Sequence, residues 1–252
     1  MKKKILIGLG ILMVICVLVY QIPMVKMVTN VVYGVVFPSE EAKVVNNNIS
    51  KIRDQFLMTV EKEGYKNPYT PQVIVAFTPV LMAFNGNHES GLLVAPVWED
   101  TPDEMKTMMN SWMEQTKSHF TGEEFFKKNF NWFLVPHELG HFVQTTQEVG
   151  AIDENDLWAG ELYANKVAIA FWLQQGMEKE LEEFIAETTK VKELLGSPAP
   201  EGVDEKKFFN ENYGELSEDP TKYGYYQFLL YKEAYSQRNK YTNIVIKKKN
   251  RP

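Results

Sequence analysis

Four histidines occur in this 252-residue chain, and two of them stand four apart in His137-Glu138-Leu139-Gly140-His141. On a helix, positions i and i+4 share a face one turn apart, so both imidazoles can converge on one metal ion. Glu138, beside the first of them, can reach water held by that ion and take its proton as a general base. The flanks suit a helix: Phe130, Phe133, Leu134 and Phe142 are apolar, with Glu123, Lys127 and Gln144 between them. Pro136 directly precedes His137, which predicts that the helix is kinked or begins there. Two capped or buried histidines that bind nothing would give the same string.

A catalytic zinc site takes three protein ligands and keeps one position open. Cys16 is the only cysteine, so a metal must be held by His, Asp and Glu, and no intrachain disulfide is possible. Twenty residues after His141 comes Glu161, within Gly160-Glu161-Leu162-Tyr163-Ala164-Asn165. Asp156–Gln175 reads as a helix, which puts Glu161 and Asn165 on one face at i,i+4 spacing. A carboxylate ligand and a neighbouring amide that orients a histidine are what such a site requires. Trp158, Ala159, Leu162, Ala164 and Ala168 make this helix mostly buried, and a buried Glu needs a partner. The plain alternative is one more surface glutamate.

HELGH followed by E-x-x-A-N resembles the zincin metallopeptidases of the gluzincin, thermolysin-like type. It is also similar to the compact ImmA/IrrE-type and minimal gluzincin domains. The resemblance covers the two site helices, roughly Phe125–Gln175. It implies a zincin-like fold, Zn2+ as cofactor, His137, His141 and Glu161 as its ligands, and Glu138 as the base. One departure is visible: thermolysin-like enzymes carry Asp where Asn165 stands here. An amide still accepts a histidine N–H but brings no charge, so the ligand imidazole is less basic.

The elements that must carry these residues predict an α+β class, with strands early and helices late. Ile49–Glu63 reads as an amphipathic helix after Asn46-Asn47-Asn48, with Ile49, Ile52, Phe56 and Val60 on one side. Val73–Phe77 and Leu92–Trp98 read as short strands around a turn at Asn85-Gly86-Asn87. Pro96 cannot donate to a ladder and predicts an edge position for the second strand, along which a peptide substrate could add. Thr101-Pro102-Asp103-Glu104 predicts a helix start with Thr101 as N-cap. Helical patterns then run to about Leu195, broken near Gly122, Gly150 and Gly176, and Asp219-Pro220 opens a last helix to about Gln237. Tyr223 falls in the first turn of that helix, with Gln227 following at i+4 and Gly224 beside it offering room for another backbone. Its hydroxyl is a candidate donor to a reaction oxyanion. His88 reads as a loop residue, His119 as exposed, and the Glu178–Glu193 charges as a solvated face.

The composition, 44% hydrophobic with a formal net charge of −6, supports a sizeable core. It shows no clustered basic footprint for nucleic acid outside the two termini. Lys2, Lys3 and Lys4 precede an apolar run from Ile5 to Tyr20, which a helix continued to Val25 extends to about a membrane span. The Lys cluster predicts a cytoplasmic amino terminus and an extracytoplasmic catalytic domain on a single-pass anchor. No small-residue cleavage site stands in Val17–Asn30, although a cleaved signal peptide is the rival reading. The expected organisation is an anchor at 1–25, a juxtamembrane segment at 26–48, a metallopeptidase-like domain at 49–240 and a basic tail at 241–252. The expected function is a membrane-anchored zinc metallopeptidase acting on a peptide or protein. An inactive zinc-binding interaction module and an intramembrane metalloprotease are the alternatives.

Overall fold

The computed structural model describes residues 36–75, 82–147, 149 and 156–245. They form an α+β fold, mostly helical, with one three-stranded sheet. The expected anchor, Cys16 and the end of the basic tail lie outside the described residues. No described helix is long and apolar enough to cross a membrane.

Helix α1 (Glu40–Lys62) begins ahead of the periodicity that predicts it and takes in the Asn run. Ser39 is the reason: its Oγ accepts the Ala42 N–H at 3.1 Å, and Glu40 and Glu41 face the positive end of the helix. Ala42 and Val45 extend the buried stripe of Ile49, Phe56 and Val60. Asn46 lies inside the helix and donates to the Val73 carbonyl at 3.3 Å, tying α1 to the sheet.

The strands are β1 (Gln72–Val75), β2 (Ala83–Gly86) and β3 (Gly91–Ala95), in the order β1-β3-β2. β3 runs parallel to β1, with Val73 opposite Leu93, and antiparallel to β2, with Phe84 opposite Leu93. The strand expected at an edge is therefore the central one. Pro96 does not oppose this, because it follows the last ladder residue and costs no hydrogen bond. Asn85 and Gly86 end β2 instead of forming the turn. The chain reverses after them, where Asn87 Oδ1 accepts the N–H groups of Glu89 and Ser90 at 2.8 and 3.1 Å.

Helix α2 (Asp103–Gln115) has Pro102 at its N-cap position. Thr101, expected there, turns its hydroxyl to the Val97 carbonyl at 2.8 Å. Helix α3 (Gly122–Lys128) opens with a capping box between Thr121 and Glu124. It runs without a break through a π-helical turn (Asn129–Phe133) into α4 (Leu134–Gln147). Pro136 thus neither starts nor ends the helix. Its ring would press on the carbonyl four residues back, and the widened turn relieves this, with Leu134 N–H bonding Asn129 five residues earlier. Helix α5 (Leu157–Gln174) starts at Asp156, whose Oδ1 accepts the Ala159 N–H at 3.2 Å. Helices α6 (Glu178–Leu195), α7 (Glu205–Glu218) and α8 (Pro220–Ser236) complete the fold. α8 lies against α5 and α6, and α4 packs on α5 and β2. A second apolar cluster of Trp158, Phe209, Leu216 and Tyr226 joins α7 and α8 to the start of α5.

Candidate metal centre

Helices α4 and α5 meet where Gly140 faces Ala164. A Cβ on Gly140 would stand 2.9 Å from Ala164 Cα and 3.2 Å from its carbonyl oxygen, so only glycine permits this approach. The close contact brings His137 and His141 of α4 against Glu161 of α5. One ligand atom from each lies within 4.8 Å of the others, so the group could hold a metal ion. His137 Nε2 is 3.3 Å from Glu161 Oε2, and His141 Nε2 is 3.8 Å from Oε1. The His137 side chain is 3% exposed and that of His141 29%, so the group is reached from the His141 side.

Both imidazoles present Nε2 to the carboxylate because both Nδ1 atoms are engaged by amides. His137 Nδ1 lies 2.8 Å from Asn165 Oδ1, and His141 Nδ1 lies 2.7 Å from Gln144 Oε1. Gln144 is fixed in this orientation because its Nε2 donates to the Gly160 carbonyl at 3.4 Å. An amide oxygen only accepts, so each Nδ1 carries a proton, and in a neutral imidazole the Nε2 then keeps the lone pair. That is the tautomer in which imidazole ligates a metal. Among the described residues these two imidazole nitrogens and the carboxylate bond only to one another and to amides, a donor set that fits a divalent metal ion, zinc included. Asn165 was legible at i+4 from Glu161. Gln144, three residues after His141, had the same kind of helical signal and was read only as a polar flank.

The charges agree with this arrangement. Burial alone would raise the Glu161 pKa, but the His137 hydrogen bond, the His141 and His137 charges and the Gln227 amide hold it at about 2. Burial likewise works against a charged His137, yet the contact with Glu161, with help from Glu138 and Asn165, lifts its pKa above the usual imidazole value. A proton shared between His137 and Glu161 therefore stands where a metal cation would compete with it.

Glu138 is buried beside the group, and its Oε2 accepts the backbone N–H of Phe84, in β2, at 2.8 Å. Gln227 donates to Glu161 Oε2 at 3.1 Å. Tyr223 lies where the chain predicts it, in the first turn of α8 after the Asp219 cap, and its hydroxyl is 3.5 Å from that of Tyr213 on α7. Burial, then the charge of Glu161, raises the pKa of both phenols, that of Tyr223 strongly. Tyr213 carried no signal in the sequence, because α7 was not foreseen. Gly224 does not admit a backbone: its added Cβ would meet only side chains, at 3.8 Å or more. His88 is exposed on the hairpin turn. His119 is not part of the group and pairs with Glu183 at 3.0 Å and Glu187 at 3.5 Å.

No protein family, curated protein or solved structure matches the chain. The functional reading therefore rests on the site residues and their geometry.

Proposed function

We propose that this protein is a zinc-dependent metallohydrolase of zincin-like architecture that cleaves peptide bonds. We further propose that residues 1–25 hold it at a membrane, with the site on the extracytoplasmic side. The observation that carries the reading is the matched pair of imidazoles: each Nδ1 is taken by an amide oxygen and each Nε2 is turned to Glu161. His137, His141 and Glu161 would hold the zinc, which when bound would polarise a carbonyl and acidify a water molecule. Glu138 accepts the proton of the attacking water and passes it to the leaving nitrogen. The Phe84 N–H fixes the orientation of Glu138 from the sheet side. Tyr223, whose phenol stays protonated, supplies a hydrogen bond to the developing oxyanion. β3 has a neighbour on both sides, so an added substrate strand falls to β2, where the Phe84 carbonyl and the Gly86 backbone groups face away from β3 while the Phe84 N–H stays with Glu138.

The test is zinc content with turnover. Purified protein should carry about one zinc per chain, and His137→Ala and Glu161→Ala should each abolish it. Glu138→Gln should keep the zinc and lose roughly a hundredfold or more in rate. The neutral amide at Asn165 favours one rival, a zinc-bound module without activity. That rival prevails if the wild-type chain cleaves nothing in a broad peptide library. Protease added outside intact cells should digest the domain, and full protection until lysis would overturn the proposed orientation.

A further inference from the structure

We propose that Gln227 is a positioning residue for the metal centre: it holds one oxygen of Glu161, so that the carboxylate takes the metal through its other oxygen alone and a coordination position stays open. The inference rests on the metal-centre reading above and not on the peptide-bond chemistry. Glu161 Oε2 is the crowded oxygen. It accepts Gln227 Nε2 at 3.1 Å and stands 3.3 Å from His137 Nε2. Oε1 is the freer one, 3.8 Å from His141 Nε2 and so beyond hydrogen-bond reach. The Gln227 amide cannot turn round, because a carboxylate accepts and only the NH2 group can face it. In that pose Gln227 is 7% exposed, and its own Oε1 is buried with no hydrogen-bond partner among the described residues. An unpaired buried acceptor is a standing cost to folding that a methionine or leucine would avoid. What the glutamine gives in return is its bond to Glu161.

The choice of oxygen matters because the donor set is small. Two imidazole nitrogens and one carboxylate oxygen make three ligands and leave the fourth position of a tetrahedral ion for water or substrate. A carboxylate that closes on the ion with both oxygens takes that position or crowds it. Once the imidazole nitrogens hold a metal, His137 Nε2 has no proton to offer Oε2, and the Gln227 N–H is the donor that remains there. Gln227 reaches the carboxylate from α8, which carries none of the three ligands and lies against α5. Buried Tyr226, Phe228, Leu230 and Tyr231 fix that helix on either side of it. Tyr223 stands one turn earlier on the same face. One packed helix thus sets both the open coordination position and the hydroxyl assigned above to the oxyanion.

The experiment loads the full chain with Co2+ as a spectroscopic stand-in for zinc. Four-coordinate cobalt absorbs strongly in the visible and five-coordinate cobalt weakly, so the band reads whether the carboxylate binds through one oxygen or two. The wild type should show the strong, four-coordinate band. Gln227→Met keeps the volume and removes the N–H, and its band should weaken by about twofold or more. Gln227→Asn ends about 1.5 Å short of the carboxylate and should do the same, which keeps the test open if Gln227→Met does not fold. Tyr223→Phe, on the same face of α8 but bonded to Tyr213, should leave the band as it is. A weak band in the wild type, an unchanged band in folded Gln227→Met or Gln227→Asn, or an equal loss in Tyr223→Phe overturns the assignment. A chain that takes up neither Co2+ nor Zn2+ removes the metal-centre reading and this inference with it, whereas bound metal with a band indifferent to Gln227 removes this one alone. A Gln227-dependent band in a chain that cleaves nothing removes the peptidase reading and leaves the positioning role in place.

Discussion

Replacing Gly140 by Ala tests whether the helix contact sets the metal geometry. The added Cβ would meet Ala164 Cα at 2.9 Å, its oxygen at 3.2 Å and its Cβ at 3.3 Å, against an ordinary contact of 3.4–4 Å. Two of these partners are backbone atoms, so α4 and α5 must part by about 0.5 Å or more. Metal–ligand distances tolerate only about 0.2 Å, and His137 and Glu161 sit on opposite sides of the parting. Stability should respond weakly, because overpacking costs about 1–3 kcal/mol while alanine in a helix returns about 1 kcal/mol. The net loss of about 0–2 kcal/mol lowers Tm by a few degrees in a chain of this size. Zinc affinity should fall by at least about tenfold, the scale on which displaced supporting groups act. Competition with a chromophoric chelator measures the affinity, and circular dichroism the melting. Adding Ala164→Gly removes the 3.3 Å contact but not the 2.9 Å one, so it should restore affinity only in part. Unchanged zinc affinity in a folded Gly140→Ala protein would refute the reasoning.

Tyr223→Phe should lower the maximal rate by about a hundredfold with zinc content and melting nearly unchanged, as removal of an oxyanion donor does. An unchanged rate would return Tyr223 to a packing role. Asp156→Ala should cost about 1–2 kcal/mol in urea unfolding by uncapping the Glu161 helix. Burial alone would raise the Asp156 pKa, but Lys206, the Ala159 N–H and Asn210 draw it below its ordinary value. Its stabilisation is present above the unfolded pKa of about 3.9 and is lost as pH falls through the lower folded value. Asp156→Asn should keep the cap and flatten that acid limb of stability against pH; an unaltered limb would clear Asp156 of the effect.

The helices of the candidate site were legible because their signals are local. Spacings of four within HELGH and between Glu161 and Asn165 fix faces on helices that Asp156 and the surrounding apolar residues make definite. What the chain did not reveal depends on contacts distant in sequence. β2 is a strand because β3 and α4 flank it, while Asn85-Gly86 alone reads as a turn. Pro96 signals an edge only if it lies inside the ladder, and the chain leaves the ladder one residue earlier. Helix α7 buries little more than Phe209 and Leu216, too sparse a stripe to stand out, yet it delivers Tyr213 to the site. Pro136 reads as a helix start or kink because the remedy, one extra residue in the preceding turn, leaves no mark in composition.

Asn165 is where local rule and site electrostatics diverge, and changing it to Asp separates them. The residue is fully buried, with Oδ1 on His137 Nδ1 and with Nδ2 lacking a partner among the described residues. Aspartate has nearly the same shape, removes that unpaired N–H and makes the His137 imidazole a more basic ligand. It also adds a third carboxylate beside Glu138 and Glu161, whose close cationic partners among the described residues are the two imidazoles. Without zinc that repulsion should destabilise Asn165→Asp. With zinc, the divalent charge reverses the balance, and affinity should rise by about tenfold or more. Because a ligand that binds only the folded state stabilises it by RT ln(1 + [L]/Kd), the melting gap between zinc-loaded and chelated protein should widen in Asn165→Asp. On that outcome the neutral amide stabilises the metal-free domain at the expense of metal affinity. A melting gap equal to that of the wild type would show that the charge at position 165 is not felt by the metal site, and would leave Asn165 as a packing residue alone.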